Sequence, residues 1–159
     1  MKAVIQRVTY AGVTVEGKVT GKIDKGLMIL VGVAPTDTID VLYTIAEKCA
    51  GLRIFKDENG KMNLSVTDIG GRVLAISQFT LYADCKKGKR PSFTDAASGE
   101  FANDMYLKFV KILEEIIKDK VETGIFGADM KVELLNDGPV TIILDSDNLN
   151  IKKYNMEVK

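Results

Sequence analysis

The most constraining stretch of this chain is residues 72–82, RVLAISQFTLY, which follow a pair of glycines. An apolar, β-branched run behind a glycine turn predicts an interior strand. Its second half, however, carries the hydrogen-bonding side chains of Ser77, Gln78 and Thr80. A buried polar group without a partner costs about 1 to 3 kcal/mol. One such hydroxyl often bonds a neighbouring loop, but Ser-Gln-Phe-Thr together favours a binding site at the end of the strand.

The chain contains no histidine. This excludes Ser-His and Cys-His hydrolases and metalloproteases of the His-Glu-x-x-His type. Any proton transfer must therefore use carboxylates, lysine, tyrosine, water or the substrate's own groups. Cys49 and Cys85 form no Cys-x-x-Cys pair, which argues against a disulfide framework or a zinc site. We expect one core thiol and one loop thiol, and neither a metal nor a cofactor.

The length of 159 residues suits one domain with a core of its own. Because 22 basic side chains balance 22 acidic ones, any nucleic-acid contact has to come from a local patch. No long apolar run is present, and the first ten residues alternate like a strand instead of forming the apolar core of a signal peptide. We therefore expect no membrane contact and, by default, a cytoplasmic protein.

The hydrophobic pattern predicts the order of the elements. Strands are expected at 2–8, 13–19, 27–33, 52–55, 62–66, 72–82, 129–135 and 140–144, and helices at 36–51 and 100–118. The first two strands would form a hairpin that turns near Ala11 and Gly12 or at Gly21. Thr36 or Asp37 would cap the first helix.

These elements predict an α+β fold with a mostly antiparallel, barrel-like sheet and two main helices. The domain would span residues 1–159, of which about 146–159 would be a polar, loosely held tail. In the first strand, Arg7 would face inward if Ala3 and Ile5 face the core. An arginine in such a strand more often lies at the solvated end.

A local basic loop follows the polar strand, in the sequence ADCKKGKRPSF. Its four cations surround one glycine: Lys86, Lys87, Lys89 and Arg90. Lysine and arginine contacts to a nucleic-acid backbone supply affinity without sequence recognition. The loop therefore predicts phosphate binding, with an ordinary solvated loop as an equal alternative. The nearby Phe93 would either stack on a base or anchor the loop.

The segment Asn-Asp-Gly-Pro at 136–139 is an unusual connection between two strands. Asn-Asp-Gly would make an ordinary hairpin turn. A proline at the start of the next strand, however, has no backbone N–H to donate to the neighbouring strand. An X-Pro bond is also where a cis peptide can occur. A cis Gly138-Pro139 bond would turn two carbonyl oxygens to one side as a pair of acceptors.

Several motifs of this chain occur together in one known family. The two most specific are SQFTL at 77–81 and NDGPVT at 136–141. They are supported by QRV at 6–8, RIF at 53–55, KMNLSV at 61–66, KGKRPSF at 87–93 and FGADM at 126–130. In these motifs the sequence resembles the D-aminoacyl-tRNA deacylase family, whose members hydrolyse D-amino acids from mischarged tRNA. The resemblance extends to about Asp145.

The resemblance implies a homodimeric ester hydrolase that acts on aminoacyl-tRNA. The pocket for the aminoacyl ester would be lined by Ser77, Gln78, Phe79 and Thr80.

The resemblance also implies roles outside this segment. Phe126 and Met130 would hold the terminal adenosine. Gly138-Pro139 would be a cis dipeptide, steadied by Arg7 and delivered into the partner's pocket. There its carbonyls would meet the substrate's α-carbon and amino group, so that an L side chain would collide. Because such a pocket does not recognise the D side chain, glycyl-tRNA is a further expected substrate.

Two mechanisms are compatible with the missing histidine. Thr80 is a candidate nucleophile, but nothing in the sequence supplies it with a base. We favour backbone N–H groups around Phe79 and Thr80 as the oxyanion site, with the 2′-hydroxyl of the terminal ribose assisting the attacking water.

Two other functions stay open on the sequence alone. One is a deacylase of related fold that edits a different mischarged tRNA. The other is a non-catalytic, dimeric RNA-binding module that uses the basic loop, in which Ser-Gln-Phe-Thr is only structural.

Overall fold

A computed structural model describes residues 1–154. Its strands are β1 (Lys2–Val15), β2 (Lys18–Ile23), β3 (Gly26–Gly32), β4 (Phe55–Lys56), β5 (Met62–Leu64), β6 (Arg72–Ser77), β7 (Val121–Thr123) and β8 (Lys131–Asp145). Its helices are α1 (Ile39–Gly51) and α2 (Gly99–Ile117), with short 3₁₀ helices η1 (Phe79–Tyr82) and η2 (Ser146–Asn148). The predicted α+β fold with two main helices is confirmed.

Strand β1 organises a six-stranded sheet. It pairs antiparallel with β3 through its first half, with β2 through its second half, and with β8 along nearly its whole length. The sheet then continues through β6 and β7, which are parallel to β3. The prediction of a mostly antiparallel sheet is confirmed, but the two parallel pairs and the short strand β7 were not predicted.

The sheet is nearly closed because its two ends, β2 and β7, meet through a glycine. A Cβ atom on Gly21 would lie only 2.6 Å from the carbonyl oxygen of Thr123. Any larger residue at this position would push the two strands apart. The close approach of the two edge strands fits the barrel-like sheet that was predicted.

The predicted position of the first hairpin turn is wrong. Strand β1 continues to Val15, and the turn consists of Glu16 and Gly17, with φ angles of 49° and 78°. Two successive residues with positive φ fit the twist of paired strands, and glycine adopts this conformation without strain. Ala11 and Gly12 lie inside β1, where both pair with β2 and β8.

The prediction of two separate strands at 129–135 and 140–144 is also wrong. Residues 131–135 and 140–144 both belong to β8, in which Asn136 pairs with Val8 and Thr141 pairs with Gln6. The residues between these pairs, 137–140, stand opposite Arg7 alone. Asn-Asp-Gly-Pro is therefore part of a large bulge and not of a hairpin turn. A bulge tolerates proline because its residues are released from the ladder.

Both faces of the central strands are buried. Leu27, Ile29 and Val31 of β3 pack in the same cluster as the apolar faces of α1 and α2, while Met28 belongs to a second cluster on the opposite face of the sheet. This explains why residues 27–33 are apolar without alternation, and it confirms their predicted central position.

Helix α1 begins at Ile39, three residues after the start of the predicted helix, and its N-cap is Thr38 instead of Thr36 or Asp37. Cys49 of this helix is fully buried, and burial raises the pKa of its thiol to about 12. Cys85 is exposed. The prediction of one core thiol and one loop thiol is confirmed.

Residues 146–154 are not the loosely held tail that the sequence predicted. The backbone N–H of Lys152 donates to the Thr44 hydroxyl over 3.2 Å, and the N–H of Tyr154 donates to the Asp40 carboxylate over 2.7 Å. The Tyr154 ring stacks on Tyr43 with centroids 4.9 Å apart. This part of the segment is therefore fastened to α1. The rest of the predicted tail, 155–159, lies outside the described residues.

Among residues 1–154, none of the helices combines the length and the hydrophobicity that a membrane-spanning helix requires.

A buried ion pair joins Met1 to Asp37. The α-ammonium group of Met1 donates to the Asp37 carboxylate and, over 2.7 Å, to the Ser146 hydroxyl. The other carboxylate oxygen of Asp37 accepts the backbone N–H of Ala34 over 2.8 Å. Asp37 thus joins β1, the loop before α1 and the segment after β8.

We expect Asp37→Asn to lower the free energy of unfolding by about 3 kcal/mol, because removing one partner of a buried ion pair leaves the other charge uncompensated. Urea unfolding followed by circular dichroism would measure this loss. Asp24→Asn is the matched control, because Asp24 is exposed and forms no ion pair with any residue from 1 to 154. An equal, small effect of both substitutions would contradict the role assigned to Asp37.

Candidate active site

The predicted polar segment divides between two elements. Strand β6 ends at Ser77, and Phe79–Tyr82 forms the 3₁₀ helix η1 instead of continuing the strand to residue 82. The neighbouring strands explain this difference, because β3 ends at Gly32, one residue beyond the partner of Ser77. The chain therefore turns away from the sheet where its polar residues begin.

Ser77, Gln78 and Phe79 line a cavity of about 470 Å³, which we call the central pocket. It is lined by Val31, Val33, Ile76, Ser77, Gln78, Phe79, Ala97, Gly99, Ala102, Phe126, Gly127, Ala128, Asp129, Met130 and Val132. Five of the predicted site residues, from two distant parts of the sequence, thus share one cavity. A larger cavity of about 680 Å³ lies between α1 and residues 148–152, but it contains none of the predicted site residues.

The rim of the central pocket carries two free backbone donors. The N–H of Gln78 bonds the Val31 carbonyl over 2.7 Å, whereas the N–H groups of Phe79 and Thr80 have no acceptor among residues 1–154. Thr80 does not line the pocket itself. Its hydroxyl oxygen accepts a hydrogen bond from the side-chain amide of Gln78 over 2.6 Å. An amide cannot remove the hydroxyl proton, so Thr80 has no general base in this arrangement.

The opposite wall comes from the loop between β7 and β8, which contains Phe126 and Met130. A Cβ atom on Gly124 would collide with the Met130 sulfur, so a larger residue there would make this side chain move. The Phe126 ring lies 6.2 Å from the ring of Tyr106. The Tyr106 hydroxyl in turn donates to the Ala75 carbonyl over 2.8 Å.

Tyr106 is a supporting residue that sequence reasoning missed. It joins α2, strand β6 and the Phe126 loop, and burial raises the pKa of its hydroxyl, so the group stays a hydrogen-bond donor. The available signal was a tyrosine on the apolar face of α2, since a buried hydroxyl needs a partner. Ala97, Gly99 and Ala102 were also missed, because small residues that leave space for a cavity carry no chemical signature.

Arg7, Gly138 and Pro139 form a second group, outside the central pocket. Arg7 is buried, and its guanidinium donates to the carbonyls of Asp137, over 3.0 Å, and Ile54. It also pairs with the Asp137 carboxylate at 3.4 Å. Gly138-Pro139 is a cis peptide, and both residues are exposed on the bulge of β8. The inward orientation of Arg7 is the first of its two predicted alternatives.

The predicted basic loop is an exposed extension next to the pocket. Lys86, Lys87, Lys89 and Arg90 are all exposed, and none of them forms an ion pair with a residue of the described chain. The loop is closed at its base by two backbone hydrogen bonds between Asp84 and Ser92, of 2.7 and 2.9 Å. Four cations without acidic partners leave this surface available to a polyanion.

The described residues contain no group of three or more histidine, cysteine, aspartate or glutamate side chains placed to hold a metal ion.

Known proteins resemble this chain along most of its length. The model of the family described as D-Tyr-tRNA(Tyr) deacylase matches residues 4–145. A D-aminoacyl-tRNA deacylase from Clostridium botulinum (strain Alaska E43 / Type E3) is 58% identical over 146 residues, covering 92% of this chain and 97% of the relative. One from Fusobacterium nucleatum is 55% identical over 154 residues, covering 96% of this chain and 100% of the relative.

Two solved structures share the fold. The c-Myc DNA unwinding element binding protein superposes with a TM-score of 0.87 at 41% identity, covering 91% of this chain and 98% of that one. A probable eukaryotic D-amino acid tRNA deacylase superposes with a TM-score of 0.77, covering 90% and 97% of the two chains. At 15% identity, this second likeness concerns the fold alone.

The family model covers most of the chain, and the relatives share more than half of the aligned residues. This protein therefore belongs to the D-aminoacyl-tRNA deacylase family, which confirms the predicted resemblance and the prediction that it is an enzyme.

Proposed function

We propose that this protein hydrolyses the ester bond between a D-amino acid and the 3′-terminal ribose of tRNA, which releases the free amino acid and the tRNA. The central pocket carries this proposal, because it combines Ser77, Gln78 and Phe79 with Phe126 and Met130 in one cavity. Its volume of about 470 Å³ lies within the ordinary range for sites that bind small ligands. Relatives named for this reaction share more than half of the aligned residues.

The chemistry needs little from acid-base side chains, because an aminoacyl ester is already activated. Water adds to the ester carbonyl, and negative charge develops on the carbonyl oxygen. The unpaired N–H groups of Phe79 and Thr80 are suited to bind this oxygen. The 2′-hydroxyl assists the attacking water. The tetrahedral intermediate then collapses, the bond to the 3′ oxygen breaks, and that oxygen takes up the proton that the water has lost. Positioning of the ester relative to the attacking water contributes a further part of the rate enhancement.

Chiral selection is assigned to Gly138-Pro139 of a second copy of the chain. Neither residue lines the central pocket of its own chain. Both are exposed on a bulge that Arg7 stabilises by a hydrogen bond to the Asp137 carbonyl. Strand β8 pairs with β1 alone among the described strands, and it exposes Leu135 and Ile143 by 51% and 71%. An unpaired edge with exposed apolar side chains supports a homodimer.

In that dimer, the Gly138-Pro139 carbonyls would leave room for an α-hydrogen and not for an L side chain. Glycine would pass the same filter, so glycyl-tRNA is included among the proposed substrates. The basic loop would hold phosphates of the tRNA. The reaction as proposed uses neither a metal nor a cofactor, and the cytoplasmic location stays a prediction.

A second candidate function is a dimeric RNA-binding module without catalysis. Two observations favour it: the four unpaired cations of the basic loop, and the likeness at 41% identity to a protein named for binding a DNA element. The two candidates differ in whether an ester is cleaved.

The decisive measurement compares hydrolysis of D-tyrosyl-tRNA and L-tyrosyl-tRNA by the purified protein, with and without a metal chelator. We expect the D ester to be hydrolysed at least about a hundredfold faster, since the L side chain is rejected by collision. The chelator should change neither rate. Equal rates for both esters would contradict chiral selection, and tRNA binding without any hydrolysis would support the RNA-binding module.

We expect Thr80→Ala to lower turnover of the D ester by less than about tenfold, whereas loss of a catalytic nucleophile lowers turnover by about 10⁶. The alanine keeps the backbone N–H and removes the γ-methyl group together with the hydroxyl, which has no base. Single-turnover kinetics with Thr80→Ser as the control would measure this. A substrate ending in 2′-deoxyadenosine should react much more slowly with all three proteins. Full activity on that substrate, together with an inactive alanine variant, would assign the nucleophile to Thr80.

We expect Gly138→Ala to reduce the ratio of D-ester to L-ester hydrolysis by about tenfold or more, as small displacements of positioning groups do. Gly138 has a φ of +128°, and an added Cβ would lie 2.9 Å from Cγ2 of Val140 and 3.0 Å from Nη2 of Arg7. The bulge must therefore shift. Gly60→Ala is the matched control, because Gly60 also has a positive φ, +75°, but has open space around it. An unchanged ratio in a folded Gly138→Ala variant would contradict the proposed filter.

A further inference from the structure

Two aromatic rings stand between the central pocket and the basic loop. Phe79 lines the pocket, and Phe93 follows the loop; their ring centroids are 5.1 Å apart and the rings meet edge to face at 75°. Phe79 nevertheless remains 54% exposed, although it is a large apolar side chain held in place by a neighbour. The Phe79 ring is thus fixed on one side and open on the other.

The loop that precedes Phe93, the neighbour of this open ring, is cationic. The loop that carries Lys86, Lys87, Lys89 and Arg90 is closed by the Asp84–Ser92 backbone pair, directly before Phe93. The N–H of Ala96 bonds the Phe93 carbonyl over 3.1 Å, and the N–H of Ala97 bonds Val33 of the pocket wall over 2.9 Å. The aromatic pair and the cations are therefore attached to the same frame as the pocket.

We infer that Phe79, supported by Phe93, stacks on the base of the nucleotide that precedes the terminal adenosine, while the basic loop holds the phosphates of that nucleotide. This inference deepens the proposed function and rests on it for the position of the adenosine beside Phe126. Proteins that bind single-stranded nucleic acid combine an aromatic ring for the base with cations for the backbone. Phe93 is a positioning residue here, because it acts by fixing the Phe79 ring.

Stacking of this kind tolerates any base, because every base has a flat π face. The site would therefore recognise the presence of a second nucleotide and not its identity. This fits an enzyme that must act on tRNAs of different sequence but with a common single-stranded 3′ end.

The test measures how much the second nucleotide adds to binding. Affinities for adenosine 5′-monophosphate and for the dinucleotide cytidylyl-(3′→5′)-adenosine are measured by calorimetry, and kcat/KM is measured for the D-tyrosyl esters of adenosine and of the same dinucleotide. In each pair, the ratio isolates the second nucleotide and cancels any effect of a variant on the pocket. We expect both ratios to be about tenfold or more in the unaltered protein.

Phe79→Leu and Phe93→Leu should each reduce these ratios severalfold. Phe93→Tyr, which keeps a ring, should restore most of the loss. Phe101→Leu is the matched control, because Phe101 is a partly exposed phenylalanine on α2 that does not line the pocket. Lys87→Ala with Lys89→Ala should lower the ratios and weaken their dependence on salt, since the phosphate contact is electrostatic.

The outcomes separate this inference from the proposed function. Tighter binding of the dinucleotide than of the mononucleotide, lost when either Phe79 or Phe93 is replaced by leucine, supports the inference. This holds even if no ester is hydrolysed and the proposed function is wrong. Hydrolysis of D esters with no gain from the second nucleotide, or with a gain that survives both leucine variants, overturns the inference and leaves the proposed function intact.

Discussion

The pairing of β1 with three other strands is the constraint on which the rest of this structure depends. Over most of its length β1 has a strand on each side, so its side chains are fixed in both register and direction. Arg7 occupies the larger of the two interruptions of the β8 ladder, and its guanidinium donates a hydrogen bond to the Asp137 carbonyl inside that interruption. The bulge and the buried arginine are therefore one feature. Neither could be moved along the sheet without the other.

A second consequence is the placement of the pocket. Strands β3, β6 and β7 are parallel, so their carboxyl ends lie at the same edge of the sheet. The chain leaves this edge as η1 after β6 and as the loop of Phe126 after β7. Two segments separated by about fifty residues in the sequence thus meet across one cavity. Sites at the carboxyl edge of parallel strands are common in open α/β sheets for the same geometric reason.

The sequence was informative where local chemistry decides the structure and uninformative where distant pairing decides it. Helical spacing located α1 and α2 to within a few residues, and the polar end of residues 72–82 marked the pocket. The continuity of β8 was not predictable from the turn-like residues Asn-Asp-Gly, because only the β1 partner holds both flanks in one strand. The segment 146–154 was misjudged for a similar reason. Its polar sequence predicted a loosely held, solvent-exposed segment. Its backbone hydrogen bonds and the ring of Tyr154 instead attach it to α1.

The proposed catalysis and the proposed chiral selection at Gly138-Pro139 both rely on backbone groups. The chain has no histidine to act as a general base, so the proposed reaction relies on placing the ester against fixed donors, and the free N–H groups of Phe79 and Thr80 are backbone groups. The proposed chiral filter also uses backbone atoms, the carbonyls beside Gly138. Backbone groups cannot adapt to a substrate by changing rotamer, so their selectivity depends on the rigidity of the elements that hold them. The ladder of β1 and the guanidinium of Arg7 supply that rigidity, which makes the fold itself a part of the proposed chemistry.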